Sequence, residues 1–150
     1  MAITLVALAQ HPDQRRLLVE DRTLIPQAIE EIHRWQTLVQ TNIRHSCSDV
    51  SEIEGVRIPD GAEMRPLMGA GNRDPERWDR PDQLDIRRAP NKHLGFGMHT
   101  CLGIHLARLE IAIWLDQLLD RLPDYEVVGP IDWGRNFVIR GPQAVSLALA

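Results

Sequence analysis

The sequence predicts a mainly α-helical fold with small β-sheets, and two observations carry this prediction. Apolar residues recur at helical spacing in the first twenty residues, after Pro26, and in a long stretch after Gly103. Between and after these stretches, short β-prone pieces alternate with glycine and proline turns. The chain has 150 residues, 43% of them hydrophobic and 25% charged, which is the ordinary composition of one globular unit with a modest core.

Three helices are predicted in the first quarter of the chain. Residues 1–10 and 12–20 each have helical spacing, and Pro12 separates them because proline disfavours helix in the residue before it. Pro26 suits the first turn of a third helix, where its missing N–H is not needed. We expect that helix to end within residues 35–39.

The remaining elements are predicted from changes in residue composition and in the spacing of apolar residues along the chain. Residues 42–64 contain short β-prone pieces that indicate a small hairpin or mixed sheet, and residues 69–91 indicate a long irregular connection. The strongest predicted helix follows Gly103 and ends at Pro123. Alternating apolar and polar residues over 125–150 predict a C-terminal β-hairpin.

Charge and cysteine content narrow the classes of function. Seventeen Lys plus Arg and twenty-one Asp plus Glu give a net charge of −4, so no overall basic field can hold nucleic acid or an anionic membrane. The apolar start, residues 1–9, is too short to span a membrane and lacks a charged leader. Cys47 and Cys101 do not resemble a disulfide scaffold, which favours a cytoplasmic location. We interpret Cys47 as a small buried hydrophobe.

Cys101 lies at or next to the N-terminus of the strongest predicted helix. The unpaired N–H groups and the positive end of the helix dipole at that point favour a thiolate over a thiol. Glycines surround the cysteine, and without a Cβ they let the backbone adopt positive φ and approach a flat ligand; they are Gly95, Gly97 and Gly103. A cysteine binds a metal as the thiolate, and the predicted position of Cys101 favours that form. Cys101 is therefore the candidate metal ligand.

The stretch before this helix reads Leu94-Gly95-Phe96-Gly97-Met98-His99-Thr100-Cys101-Leu102-Gly103. It resembles the cysteine loop of cytochromes P-450, whose pattern is Phe-Gly-x-Gly-x-His/Arg-x-Cys-x-Gly, and Leu106-Ala107-Arg108 matches the start of the helix that follows. Leu94 stands where the family usually has Phe, and Phe96 stands two places on. We align the loop without a gap because this keeps both loop glycines; a loop two residues shorter is the alternative.

Two further motifs agree with this resemblance. Glu31-Ile32-His33-Arg34 resembles the family's Glu-x-x-Arg, whose ion pair locks its helix to the irregular segment before the cysteine loop. Gly71–Pro75 and Pro81–Ile86 are similar to a segment that bacterial members carry before that loop. Pro75-Glu76-Arg77-Trp78 superficially resembles another box of the family, which leaves Arg77 as a secondary candidate for the third member of the ion-pair network.

The resemblance implies the C-terminal part of the cytochrome P-450 fold and a haem b cofactor, with Cys101 as the axial ligand to iron. Arg44 and His99 match residues that contact the haem propionates. The other positions that the resemblance places at the cofactor are Leu94, Gly95, Phe96, Gly97, Gly103 and Ala107.

The implied activity is that of a monooxygenase, which oxidises a small organic substrate with dioxygen and reducing equivalents. A ferredoxin or flavoprotein would supply the electrons. We expect it to dock on positive charge near the cysteine, offered by Arg87, Arg88, Lys92 and Arg108.

By the same resemblance, residues 1–150 contain the end of the distal helix, the Glu-x-x-Arg helix, the irregular meander, the cysteine loop, the proximal helix and a β-hairpin. The family's oxygen-activating Ala-Gly-x-Asp/Glu-Thr segment would precede residue 1. We therefore expect this chain alone to be inactive and to contain no catalytic residue. Two other hypotheses stay open: a non-catalytic remnant that binds no haem, and a small metal-binding interaction module with zinc held by His99, Cys101 and His105.

Overall fold

Three helices open the chain in the computed structural model, which describes residues 1–48, 51–93 and 101–149. They are α1 (Ala2–Gln10), α2 (Pro12–Glu20) and α3 (Ile25–Trp35), with a 3-10 turn over Arg22–Leu24. The predicted break is confirmed, since His11 is not helical and Pro12 opens α2. Pro26 lies in the first turn of α3, where no partner for its missing N–H is required.

The hydrophobic core is formed by residues of α1, α2, α3 and a later helix, α5 (Ile104–Arg121). The irregular segment also contributes to this core, because Leu84 and Ile86 are buried in it. Burying one such aliphatic side chain contributes about 1.5–3 kcal/mol, so these two residues fasten the segment to the helices. The core residues on the helices are Ala7, Leu8, Leu18, Ile25, Ala28, Ile29, Ile32, Leu115 and Leu119.

Two small antiparallel pairs of strands follow α3, as predicted for residues 42–64. The strands are β1 (Arg44–His45), β2 (Ser51–Ile53), β3 (Val56–Ile58) and β4 (Glu63–Met64). β2 and β3 form a hairpin, and β1 pairs with β4. Gly55 closes the hairpin with a φ of 76°, a conformation that glycine adopts without strain.

The connection over residues 69–91 is irregular, as predicted, except for one short helix at its start. That helix, α4, spans Met68–Gly71 and was not predicted. It is only four residues long, so its sequence carries no helical periodicity to read.

The C-terminal hairpin is confirmed. β5 (Tyr125–Asp132) pairs with β6 (Ala144–Leu149) in antiparallel register, with an irregularity between Val128 and Asp132. Tyr125 fastens the hairpin to the first helices: its phenol donates to the Leu5 carbonyl at 3.0 Å, and its own carbonyl accepts from Arg15 Nη1 at 2.7 Å.

The interpretation of Cys47 as a buried residue is wrong, because Cys47 follows β1 on the surface and is exposed.

Among the helices in the described ranges, none is long and apolar enough to cross a membrane.

Candidate functional site

Cys101 is exposed and lies one turn before Ile104, the first residue of α5. Its carbonyl accepts from the Ile104 N–H at 3.2 Å, and the Gly103 carbonyl accepts from the Ala107 N–H at 2.9 Å. The thiol therefore lies one turn ahead of the first helical residue, next to the helix N-terminus as predicted. Ala107, one turn into α5, is exposed as well.

Gly103 differs from its prediction. Its φ is −83°, which any residue can adopt, and a Cβ added there would meet Cys101 Sγ at 3.9 Å, an ordinary contact distance. The described geometry therefore does not require glycine at this position. Leu94, Gly95, Phe96, Gly97 and His99 lie outside the described residues.

An apolar strip runs from Cys101 along one side of α5. Its members recur at steps of three and four residues and are all exposed: Leu102, Leu106, Leu109 and Ile113. The two buried residues of α5 are Leu115 and Leu119, in its second half. The residues of the strip form an exposed apolar surface that begins beside the exposed Cys101.

Arg44 lies on β1 and is exposed, with its Nη1 donating to the Ile43 carbonyl at 3.1 Å. A guanidinium in this position can pair with a carboxylate from a ligand. Its placement is compatible with the predicted role, which rests on the resemblance.

Glu31 and Arg34 are fully buried and form a bidentate ion pair on α3. Arg34 Nε lies 2.8 Å from Glu31 Oε2, and Arg34 Nη2 lies 2.9 Å from Glu31 Oε1. The same guanidinium donates to three carbonyls of the irregular segment, those of Asn72, Pro81 and Gln83, at 2.8, 2.8 and 3.1 Å. The pair therefore joins α3 to a segment that has little regular secondary structure of its own.

Arg88 is the third member of the network formed by Glu31 and Arg34, so the candidate Arg77 is wrong. Arg88 Nε lies 3.0 Å from Glu31 Oε1, and its side chain is 11% exposed. Arg77 is exposed and stacks on the Trp78 ring, with 5.9 Å from its Cζ to the ring centroid. Asn91 Nδ2 and the Asp85 N–H complete the contacts of Glu31, at 2.8 and 3.1 Å.

Glu30, the neighbour of Glu31, serves a second network. Its carboxylate accepts from Arg108 Nε at 2.7 Å and Nη2 at 2.9 Å, and from His93 Nε2 at 3.1 Å. Burial alone would raise the pKa of the Glu30 carboxyl, but the hydrogen bonds and charge of His93 and Arg108 outweigh burial and lower that pKa to about 2. His33 stacks on His93 with ring centroids 5.9 Å apart, and burial lowers the pKa of His33.

Two of the four cations in the predicted docking patch form ion pairs within the chain. Arg88 is held by Glu31, and Arg108 is held by Glu30. Both guanidinium groups are therefore engaged within the chain. Arg87 and Lys92 are exposed.

The chain belongs to the cytochrome P-450 family, whose family model, described as cytochrome P-450, matches residues 4–123. A putative cytochrome P-450 126 of Mycobacterium tuberculosis is 44% identical over 134 residues, which cover 88% of this chain and 32% of that protein. Cytochrome P-450-terp of a Pseudomonas species is 37% identical over 145 residues, covering 95% of this chain and 34% of that protein. The chain thus spans about a third of the length of these curated relatives.

Solved structures show the same fold. P-450BioI, crystallised in complex with an acyl carrier protein ligated to hexadec-9Z-enoic acid, superposes with a TM-score of 0.93 at 37% identity over 99% of this chain and 39% of that one. The hydroxylase HmtN of himastatin biosynthesis superposes with a TM-score of 0.93 at 34% identity over 99% of this chain and 41% of that one. The fold is therefore the cytochrome P-450 fold, over the part of it that this chain contains.

The described residues fit the haem that membership of this family implies. Cys101 supplies an exposed sulfur, the apolar strip supplies a surface that suits a flat apolar ring, and Arg44 supplies a cation for a carboxylate. In contrast, no group of three metal-ligating side chains lies together within residues 1–48, 51–93 and 101–149, and His99 of the zinc hypothesis lies outside them.

Sequence reasoning missed three residues of these networks: Glu30, Arg88 in its role at Glu31, and His93. A signal existed for Glu30 and His93, since one is adjacent to the Glu-x-x-Arg motif and the other directly precedes the cysteine loop. Arg88 gave no such signal, because it lies in an irregular segment without periodicity.

Proposed function

We propose that this chain is the haem-binding part of a cytochrome P-450 monooxygenase, with the Cys101 thiolate as the axial ligand to the iron. The observation that carries the proposal is the exposed Cys101 beside the N-terminus of α5, in a chain whose family is shown by the match over residues 4–123. A haem held by a thiolate supplies an iron whose sulfur ligand donates electron density and favours O–O cleavage, an effect for which this family is the standard example.

The chain's own residues would hold the group and shape its surroundings. Cys101 provides the sulfur, which lies beside the N-terminus of α5. Arg44 and His99 would pair with the propionates, and Leu94, Gly95, Phe96, Gly97, Gly103 and Ala107 would contact the ring. The apolar strip would cover part of the ring and keep water from it, as apolar contacts do around redox metals.

The complete reaction that we propose is the oxidation of a small organic substrate by dioxygen with reducing equivalents. A ferredoxin or flavoprotein would donate the electrons and dock near Cys101. Of the four cations in the predicted docking patch, the exposed Arg87 and Lys92 are the ones that we expect to meet an acidic partner, since Arg88 and Arg108 are already paired with carboxylates. The cytoplasmic location stays a prediction.

The test is the cofactor content of the purified chain after incubation with haem and, separately, with zinc. The proposal predicts about one haem per chain and no tightly held zinc. A chain that folds and takes up neither is the non-catalytic remnant. A chain that takes up zinc stoichiometrically and no haem is the metal-binding interaction module.

A further inference from the structure

One carboxylate lies between the two ends of the cysteine segment. Glu30 is on α3, and its two partners are His93, directly before residue 94, and Arg108, in the first half of α5. Cys101 lies between these two partners in sequence. Both ends of the segment that carries the thiol are thus attached to the same side chain.

These contacts have the geometry of strong hydrogen bonds. Arg108 binds Glu30 in bidentate fashion at 2.7 and 2.9 Å, and charge-assisted bonds of this length are about twice as strong as neutral ones. The His93 contact of 3.1 Å requires the proton on Nε2, because an ionised carboxylate can only accept. The exposed fraction of the side chain is 5% for His93, 20% for Glu30 and 39% for Arg108, so the carboxylate and the imidazole are shielded from water more than the guanidinium is.

Glu31 cannot perform this function, although it is adjacent in sequence. Its two oxygens are occupied by Arg34, Arg88, Asn91 and the Asp85 N–H. The two neighbouring carboxylates therefore divide two tasks: Glu31 holds the irregular segment, and Glu30 holds the ends of the cysteine segment.

The core holds α5 from Ile111 onwards. Leu115 and Leu119 are buried in the core and Ile111 packs against it, whereas Leu106 and Leu109, which lie nearer to Cys101 in the helix, are exposed. The ion pair between Glu30 and Arg108 therefore attaches the turns of α5 that precede this core contact. Closing the segment between His93 and Arg108 removes conformational freedom that the thiol would otherwise have.

We propose that Glu30 is the positioning residue of the thiolate, fastening both ends of the cysteine segment so that Cys101 Sγ is held in place for its ligand. This inference rests on the proposed function for its consequence at the haem. The attachment of the segment itself is a property of the chain without any cofactor. The two can therefore be tested separately.

The test compares Glu30→Gln, which keeps the size of the side chain but removes its charge, with the matched control Asp120→Asn. Asp120 is a carboxylate of α5 that accepts from Arg22 at 3.0 Å, and it lies at the end of that helix remote from Arg108. Hydrogen exchange of the haem-free chain is measured over residues 101–109, with β5 and β6 as the internal reference. At equal haem content, the fraction of thiolate-type spectrum in the reduced, CO-treated protein is measured as well.

Glu30→Gln should accelerate exchange over 101–109 about tenfold, the factor expected for loss of one hydrogen bond to a charged group, and should lower the thiolate-type fraction. Asp120→Asn should change neither quantity. Exchange over 101–109 at the parental rate in Glu30→Gln overturns the proposal, whether or not haem binds. Faster exchange with an unchanged thiolate-type fraction also overturns it, since the attachment would then be merely structural.

A second variant covers the case in which Glu30→Gln does not fold. Arg108→Lys keeps the charge but cannot form the bidentate pair. It should show faster exchange over 101–109 than the parent, and parental exchange would overturn the proposal. If the parent chain binds no haem, the proposed function fails while the exchange result still decides whether Glu30 holds the segment.

Discussion

Arg88 Nε lies 3.0 Å from Oε1 of Glu31, so a fully buried carboxylate receives two guanidinium groups, one from its own helix and one from the irregular segment. The head group of Arg88 also donates to the carbonyls of Asp79, Arg80 and Gln83. A segment with almost no secondary structure is thereby held in one conformation by side-chain-to-backbone hydrogen bonds. Such bonds replace the regular pairing that a helix or strand would supply.

Removing Arg88 should therefore destabilise the chain. Arg88→Gln should lower the free energy of unfolding by about 2 kcal/mol, the range for a hydrogen bond to a charged group. Arg77→Gln is the matched control, since Arg77 is exposed, and should stay within about 0.5 kcal/mol of the parent. Urea unfolding measures both. Equal effects of the two substitutions would contradict the assignment of Arg88 as the third member of the network.

The phenol of Tyr125 should titrate at unusually high pH. Burial raises its pKa from 10.0 to about 12, with the Arg15 charge opposing the shift. The folded state then holds this proton more tightly than the unfolded state, so its contribution to stability is complete below pH 10 and is lost as the pH rises towards 12. Tyr125 is the only tyrosine, so the absorbance of tyrosinate reports it directly.

Half-titration near pH 12 would agree with the buried position, and half-titration near pH 10 would contradict it. Tyr125→Phe supplies the control. Between these two pH values, the free energy of unfolding of this variant should decline less than that of the parent chain, because the variant has no phenol to ionise. At neutral pH this variant should lose about 1 kcal/mol, since the Leu5 carbonyl loses its donor.

Leucines on opposite sides of α5 should differ in their effects. Leu115 is fully buried, so Leu115→Ala should cost about 2–5 kcal/mol, whereas Leu109 is 57% exposed and Leu109→Ala should cost far less. In contrast, Leu109→Ala should lower the binding of a hydrophobic dye and the self-association of the chain, because it trims the exposed apolar strip. Dye binding and light scattering measure this. A larger loss of stability at Leu109 than at Leu115 would show that the strip is covered in solution.

Haem and an electron donor alone should not give coupled hydroxylation by this 150-residue chain. Cys101 and the apolar strip would cover only the part of the ring that they contact, so the rest of the ring would be open to water, and a site that does not exclude water loses its reactive species to side reactions. The measurement is product formed per electron consumed, without a second polypeptide. Product formation in step with electron use would contradict this prediction.

Much of the fold could be predicted because its signals are local. The break at Pro12, the end of α5 before Pro123 and the C-terminal hairpin each follow from proline, glycine and periodicity within a few residues. The position of Cys101 beside a helix N-terminus was predicted for the same reason.

The parts that were missed depend on contacts between distant positions. Arg77 and Arg88 are both arginines of the irregular segment, and nothing in the sequence around them distinguishes which one reaches Glu31. Only the path of that segment in the fold brings Arg88 to Glu31. Arg108 was predicted to face an electron donor, but its side chain turns to Glu30 on another helix. Cys47 was predicted to be buried from the general preference of cysteine, which its position after a two-residue strand overrides.

The central claim is that Cys101 is the thiolate ligand, and the absorption spectrum of the reduced, CO-treated chain tests it most directly. The parent and Cys47→Ser, in which the other exposed cysteine is removed, should both give the thiolate-type spectrum, while Cys101→Ser should abolish it. A thiolate-type spectrum that persists in Cys101→Ser, or that disappears in Cys47→Ser instead, would contradict the claim.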